Sequence, residues 1–79
     1  MKDLIDYIAR SLVDDPIQVH IEQIGSGQSI HFDLEVAKED MGRIIGRNGR
    51  VANAMRTLLR VAAAREGKRV SLDIIEPDL

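Results

Sequence analysis

The sequence predicts an α+β fold in which three helices cover one face of a three-stranded sheet. Apolar residues recur at helical spacing over residues 3–13 and again from residue 50 to about 66. In three other stretches, 17–22, 30–36 and 70–74, apolar residues alternate with polar ones, as in strands that bury one side. Strands of this kind form a sheet with one solvated face, so the helices must pack on the other.

The amino-terminal half is predicted to form a helix followed by a β-hairpin. The first helix spans residues 3–13 and ends before Pro16, because the residue that precedes a proline avoids helical angles. A first strand then begins at Ile17, with its apolar residues on one side. Gly25-Ser26-Gly27 supplies the turn into the second strand, over residues 30–36.

The carboxyl-terminal half is predicted to contain a short helix, a tight loop, a long helix and a last strand. The short helix covers residues 41–45, after the cap candidates Glu39-Asp40. It leads into Gly46-Arg47-Asn48-Gly49, from which the long helix continues to about Glu66. The strand over residues 70–74 completes the order α-β-β-α-α-β. The side of the long helix expected to face the sheet contains Ala52, Met55, Leu59 and Ala62.

The composition excludes several kinds of site and favours a soluble protein. The 79 residues include no Cys, which excludes a disulfide or a thiolate metal site, and the two His leave few ligands for zinc. No apolar run resembles a signal peptide or reaches the length of a membrane span, so we expect a cytoplasmic protein without membrane contact. A single domain of this length buries little surface alone, and a partner subunit would add stability.

Charge is distributed very unevenly along the chain. The net charge is −2, but residues 43–69 contain eight basic residues and one acid, a net charge of +7. The rest of the chain contains three basic residues and twelve acids, a net charge of −9. A concentrated basic stretch attracts anionic ligands locally. Basic residues can also simply solvate a helix face, so charge alone leaves both interpretations open.

The stretch most informative about function is the loop Gly46-Arg47-Asn48-Gly49. Gly and Asn tolerate the positive φ angles that a short connection between two helices requires. The long helix begins at Arg50 with its free N–H groups and positive dipole end directed outwards, where anions bind. Arg43 adds a further positive charge beside the loop. The loop is therefore a candidate phosphate site, although a G-x-x-G spacing alone also fits a simple helix–turn–helix connection.

Motifs of other functional classes are not found in the sequence. There is no P-loop run, and Gly25-Ser26-Gly27 lacks the third Gly of a dinucleotide-binding motif. His20 and His31 fall on the polar sides of strands, and Asp14-Asp15 and Glu39-Asp40 are explained as helix ends. Without a nucleophile beside a base, we expect no enzymatic activity and no cofactor.

The run Ile44-Ile45-Gly46-Arg47-Asn48-Gly49-Arg50-Val51-Ala52 resembles the signature of KH (K homology) domains, in which an apolar pair precedes a G-x-x-G loop. In these domains the loop clamps the backbone of about four single-stranded nucleotides. The predicted element order is that of the prokaryotic, type II arrangement, and the resemblance covers residues 1–79 as one KH domain. The length and the sequence that follows the loop are most similar to bacterial KhpA-like proteins.

This resemblance implies an RNA-binding or RNA-chaperone protein that forms a homodimer or pairs with a larger Jag-like KH protein, in cell elongation and envelope homeostasis. Bases would lie in an aliphatic groove lined by Ile45 and the second strand, made shallower by Ala52, where many KH domains have a larger residue. The residues expected to contact single-stranded RNA are Arg43, Ile45, Gly46, Arg47, Asn48, Gly49 and Arg50. The alternative is a protein-interaction adaptor with little RNA binding, which the acidity outside residues 43–69 favours.

The long helix also has a second stripe of residues that a monomer does not need. On a helical wheel this stripe lies away from the face predicted to meet the sheet. It consists of Ala54, Thr57, Leu58, Val61 and Ala64. Ala is also simply a good helix former, but that does not explain Val61. We therefore expect a two-fold dimer in which the stripe packs against its own copy.

Overall fold

The structure, a computed structural model, describes residues 1–77 of the chain. Its helices are α1 (Lys2–Leu12), α2 (Met41–Ile45) and α3 (Arg50–Arg65), and its strands are β1 (His20–Ile24), β2 (Ser29–Glu35) and β3 (Arg69–Ile75). The predicted α+β class and the order α-β-β-α-α-β are confirmed. Within residues 1–77, no helix combines the length and the apolar character needed to cross a membrane.

The three strands form a mixed sheet with β2 in the centre. β1 runs antiparallel to β2 across the turn that joins them, with Ile21 opposite Leu34. β3 runs parallel to β2, with Leu72 opposite Phe32, because the chain crosses over through α2 and α3 before it returns to the sheet. β3 is therefore an edge strand, and it lies on the side of the sheet that α3 reaches.

The hydrophobic core lies between the sheet and the helices. Three residues of β2, Ile30, Phe32 and Leu34, are at most 6% exposed, since they occupy the centre of the covered face. The helices contribute Ile5, Ala9, Ile44, Ala52, Met55, Leu59 and Ala63 to this core. Full burial of a large apolar side chain stabilises a fold by about 1.5–3 kcal/mol, so the interlayer contacts hold the elements in place.

The first strand begins three residues later than the alternation of apolar residues predicts. Ile17 is 81% exposed and belongs to a 3-10 turn, Pro16–Gln18, that precedes β1. Pro16 occupies the first position of this turn, where its fixed φ suits a helical conformation and its missing N–H is not needed. The prediction that Ile17 lies on the buried side of a strand is wrong, whereas Val19 is buried.

The buried face of α3 also differs from the prediction at one position. Ala63, not Ala62, is in the core, with 1% of its surface exposed. Ala63 is eleven residues after Ala52, and eleven steps of about 100° return to nearly the same direction. Gly67 ends the helix as predicted, with φ at 67° and its N–H bonded to the Ala64 carbonyl at 3.1 Å.

Candidate nucleic-acid interface

The loop between α2 and α3 has backbone angles that glycine and asparagine adopt readily and most other residues do not. Gly46 has φ 76° and ψ 176°, a combination that is essentially confined to Gly. Asn48, at φ 57° and ψ 28°, and Gly49, at φ 74° and ψ 13°, are both left-handed. Asn is one of the few residues besides Gly that adopt this conformation readily. The sequence Gly46-Arg47-Asn48-Gly49 therefore fixes the shape of the loop.

The two glycines of the loop are required for different reasons. A Cβ on Gly46 would lie 2.5 Å from Cγ2 of Val51 and 2.9 Å from its backbone nitrogen. Gly46 thus lets the loop pack directly against the first turn of α3. A Cβ on Gly49 would meet nothing nearer than Nδ2 of Asn53, at 3.7 Å, so only its left-handed angles favour Gly there.

The loop presents its cationic side chains and the start of α3 to solvent. Arg47, Asn48 and Arg50 are all exposed. Within residues 1–77, no side chain caps the first turn of α3, whose preceding residue is Gly49. The N–H of Arg50 donates to the Arg47 carbonyl within the loop, whereas the positive end of the helix dipole is directed at solvent and attracts anions. Arg47, Asn48 and Arg50 are therefore accessible to a ligand at the start of α3.

Arg43 makes contacts that its place in the sequence does not predict. Its Nη2 lies 2.9 Å from Oδ2 of Asp14, and its Nε lies 3.6 Å from Oδ1 of Asp40. The two carboxylates therefore offset the charge of Arg43, and the contact with Asp14 holds its side chain near the end of α1. Ile45, by contrast, is 38% exposed at the end of α2, where an apolar contact next to the loop is available to a ligand.

A buried carboxylate holds α2, and with it the loop, against the rest of the fold. Asp40 is 2% exposed and accepts hydrogen bonds from the backbone N–H groups of Asp14 and Asp15, at 3.0 and 3.1 Å. These two amides lie just beyond the end of α1, so the carboxylate joins the start of α2 to α1. Asp40 was predicted only as a cap candidate. Its long-range partners are 26 and 25 residues away, too far for local spacing to indicate them.

A groove lies between α3 and the edge strand β3. It has a volume of about 260 Å³ and is lined by Arg56, Leu59, Arg60, Val70, Ser71, Leu72 and Asp73. The base groove is predicted to be lined by the second strand. β2 is the central strand, and its inward side chains are buried under the helices, so they do not line this groove. On the side of the sheet the groove is lined by β3.

A row of contacts connects the loop to this groove. Asn53 lies against Gly49 at the start of α3, and its Oδ1 accepts a hydrogen bond from Nη1 of Arg56 at 3.2 Å. Nε of Arg56 in turn donates to the backbone carbonyl of Leu72 in β3, at 3.1 Å. The loop, one side of α3 and the edge strand thus form one continuous surface.

The uncovered face of the sheet has the opposite charge. The side chains that alternate away from the core there include Glu22, Asp33, Glu35 and Asp73. An anionic ligand is repelled from this face and attracted to the basic loop and α3. The two faces of the domain therefore direct a polyanion to one side only.

His31 forms a cross-strand network on the uncovered face. Its Nδ1 lies 2.6 Å from Oγ of Ser71, and its Nε2 lies 2.8 Å from Asp33 and 3.5 Å from Asp73. The imidazole and the two carboxylates bring ligand atoms within 4.8 Å of one another, a grouping that a metal ion can use. Because both ring nitrogens already have partners, hydrogen bonding between strands explains the cluster. It lies on the face opposite the helices.

The second stripe of α3 is exposed. Leu58 is 51% exposed and Val61 is 53% exposed, and Ala54, Thr57 and Ala64 also lie at the surface. Val61 is nine residues after Ala52, so it points about half a turn away from the core. This stripe is separate from the groove, which α3 borders with Arg56 and Arg60.

The fold and the loop together define a KH-domain protein of the type II arrangement. The order α-β-β-α-α-β, the parallel pairing of β2 with β3 and the G-x-x-G loop before α3 are all present. The family described as "KhpA/KhpB, KH domain" matches residues 2–74. The chain belongs to this family, and the predicted resemblance to KhpA-like proteins is confirmed.

Relatives from distant bacteria are similar over nearly the whole chain. The "RNA-binding protein KhpA" of Clostridium acetobutylicum is 49% identical over 75 residues, which cover 95% of this chain and 100% of the relative. The protein of that name from Halalkalibacterium halodurans is 43% identical over 76 residues, covering 96% and 100%. That of Chlamydia caviae is 47% identical over 76 residues, covering 96% and 97%.

Proposed function

We propose that this chain is a non-catalytic protein of the cytoplasm that binds single-stranded RNA with the loop Gly46-Arg47-Asn48-Gly49. The observation that carries the proposal is the loop itself, a glycine-shaped turn with exposed Arg47 beside the uncapped start of α3. Phosphate groups bind where helix amides and cationic side chains converge. The printed names of the relatives, which are RNA-binding proteins, support the same conclusion.

The backbone of the RNA would lie on the loop, and its bases would enter the groove between α3 and β3. The apolar floor of the groove is supplied by Leu59, Val70 and Leu72. Tyr7 and Phe32 are the only aromatic residues, and Phe32 is buried, so stacking on an aromatic platform does not contribute. Bases are therefore held by aliphatic contact and by polar groups at the edge of the groove.

RNA binding is expected to be weak and strongly dependent on salt. If the loop and neighbouring Arg side chains neutralise about three phosphates, the log–log slope of affinity against salt is about −2 for a single strand. Raising the salt concentration from about 50 to 200 mM should then weaken binding somewhat more than tenfold. Fluorescence anisotropy with a labelled single-stranded RNA measures the affinity at each salt concentration and therefore the slope. A duplex of the same sequence that competes equally well would contradict a KH mode of binding.

We also propose that the protein is a homodimer that pairs through the exposed stripe of α3. Leu58 and Val61 leave apolar surface in water on a helix whose other side is already buried. The flanking Ala54 and Ala64 are small, so a second helix can approach closely. Burial of this stripe would add apolar contact to a domain of only 79 residues, for which a partner is a common source of stability.

Replacing Val61 by Asp is expected to convert the dimer into a folded monomer. Two carboxylates would face each other near the two-fold axis, where repulsion and desolvation both oppose pairing. Sedimentation velocity at micromolar protein distinguishes the two states. Ile17→Asp, at an 81% exposed position outside the stripe, is the matched control and should remain dimeric. A monomeric parent, or a Val61→Asp dimer, would remove this stripe from the interface.

The family resemblance also supports a proposal about the protein's partner and its role in the cell. A larger Jag-like KH protein would pair through the same stripe, in place of the second copy. The RNA-chaperone role and the link to cell elongation and envelope homeostasis rest on resemblance alone. The adaptor hypothesis, supported by the acidic face of the sheet, predicts that a crosslinking experiment with bulk cellular RNA recovers little RNA with the protein.

A further inference from the structure

Carboxylates on the uncovered face of the sheet stand directly opposite one another. Glu22 of β1 pairs with Asp33 of β2, and Asp33 pairs in turn with Asp73 of β3. Like charges in directly opposite positions destabilise a sheet. Among residues 1–77, no Lys or Arg forms an ion pair with any of the three, and the side chain that reaches Asp33 and Asp73 is the imidazole of His31. This row of carboxylates therefore attracts a further cation from solution.

The ligand atoms of His31, Asp33 and Asp73 have separations that suit a metal ion. Nε2 of His31 lies 2.8 Å from Oδ1 of Asp33 and 3.5 Å from Oδ2 of Asp73, and the three groups each place one ligand atom within 4.8 Å of the others. Ligands at about 2.0–2.1 Å from a tetrahedral zinc ion lie about 3.3 Å apart. The two distances from Nε2 lie on either side of this value, so small rotations of the side chains would place all three around one ion.

Ser71 holds the imidazole in the orientation that a metal ion requires. Ser71 lies opposite His31 across the pairing of β2 with β3, and its Oγ is 2.6 Å from Nδ1. When Nδ1–H donates to this hydroxyl, the lone pair of Nε2 is directed at the two carboxylates, and a proton or a metal ion must lie between them. A hydrogen bond at the other ring nitrogen is the usual support of a metal-binding His. The hydrogen bond between Nε2 and Asp33 and a bound metal ion are thus alternative ways to satisfy the same atoms.

We propose that His31, Asp33 and Asp73 bind a divalent transition-metal ion, for which zinc is the probe, on the uncovered face of the sheet. An imidazole nitrogen suits zinc, whereas magnesium and calcium prefer oxygen ligands alone. The side chains of His31 and Asp33 are 29% and 28% exposed, so water can complete the coordination. The ion would join the central strand β2 to the edge strand β3 and offset the charge of the row. The site lies on the face opposite the helices, so it is independent of RNA bound at the loop.

Isothermal titration calorimetry of the full chain, without a polyhistidine tag, is expected to show one zinc ion bound per chain. Magnesium at the same concentrations should show no saturable binding. The sequence contains no Cys and two His, so the unfolded chain competes weakly for zinc, and at about a hundredfold excess of zinc over Kd the Tm should rise by about 10–20 °C. Absence of saturable zinc binding would overturn the proposal. Equal binding of magnesium would also overturn it, because it would show only counterions on an acidic face.

Three variants assign the ion to its ligands. His31→Gln and Asp33→Asn each remove a ligand and should weaken zinc binding by more than about tenfold, and Ser71→Ala, which removes only the support of the imidazole, by about tenfold. His20→Gln is the matched control, because His20 is an exposed imidazole on the same face, opposite Glu35 but outside the cluster, and it should bind zinc as the parent does. Circular dichroism without metal checks the fold, and Ser71→Ala decides if a ligand variant does not fold. Zinc affinity that is unchanged in the folded variants, or lost in His20→Gln, would place the ion elsewhere and overturn the proposal.

Discussion

Replacing Arg47 and Asn48 together by Asp is expected to abolish RNA binding while the protein stays folded. Both side chains are exposed in the loop between α2 and α3, so stability should change by no more than about 0.5 kcal/mol. Asp also adopts the left-handed conformation of position 48, at φ 57°. The positive end of the helix dipole, which attracts phosphate, also stabilises nearby carboxylates, so the first turn of α3 stays folded. The two new charges would repel the RNA backbone from that start.

A matched control separates the position of the charge from its amount. The control is the double variant Arg65→Asp and Gln28→Asp. It changes the net charge by the same amount as the loop variant, at exposed positions away from the loop. Arg65 is sixteen residues after Gly49, about 24 Å along the axis of α3. In anisotropy titrations the control should bind RNA with a modest loss, whereas the loop variant should show no binding at micromolar protein. Similar losses in both folded variants would mean that general charge, not the loop, holds the RNA.

Much of the fold could be predicted because each element buries one side. The alternation of Ile30, Phe32 and Leu34 with polar residues predicts β2, and these side chains are indeed core residues. Ile17 shows where this reasoning fails. Ile17 fits the alternation of apolar residues but lies in a 3-10 turn. The backbone preference of Pro16 outweighs the alternation here, because no neighbouring strand pairs with this part of the chain. The error at Ala62 came from assigning the face one residue too early on the wheel.

The loop could be predicted from local chemistry, but the groove and its support could not. Positive φ angles at Gly46, Asn48 and Gly49 follow from residue type. The groove depends on β3 pairing with the side of β2 opposite β1, which places β3 at an edge of the sheet, and strand order is a property of the whole chain. The ion pair of Arg43 with Asp14 joins residues that only tertiary packing brings together.

Replacing Asp40 by Ala is expected to cause a large loss of stability. The carboxylate is 2% exposed and accepts from the amides of Asp14 and Asp15. A hydrogen bond to a charged group contributes about 1.5–3 kcal/mol, and partial access of water to these amides reduces the combined cost. We expect the free energy of unfolding to fall by about 2–4 kcal/mol, a large share of the 5–15 kcal/mol typical of a domain.

Urea denaturation followed by circular dichroism measures this loss, with all variants at the same protein concentration because self-association stabilises the fold. Asp40→Asn should be intermediate, since one oxygen can still accept while the new amide N–H₂ faces a backbone donor. Glu39→Ala, at the exposed neighbouring position, is the matched control and should stay within about 0.5 kcal/mol of the parent. Because Asp40 joins the start of α2 to the end of α1, its loss should also loosen the loop and weaken RNA binding at temperatures well below unfolding. An Asp40→Ala variant as stable as Glu39→Ala would show that these amides find other acceptors, and that packing of Ile44 alone positions α2.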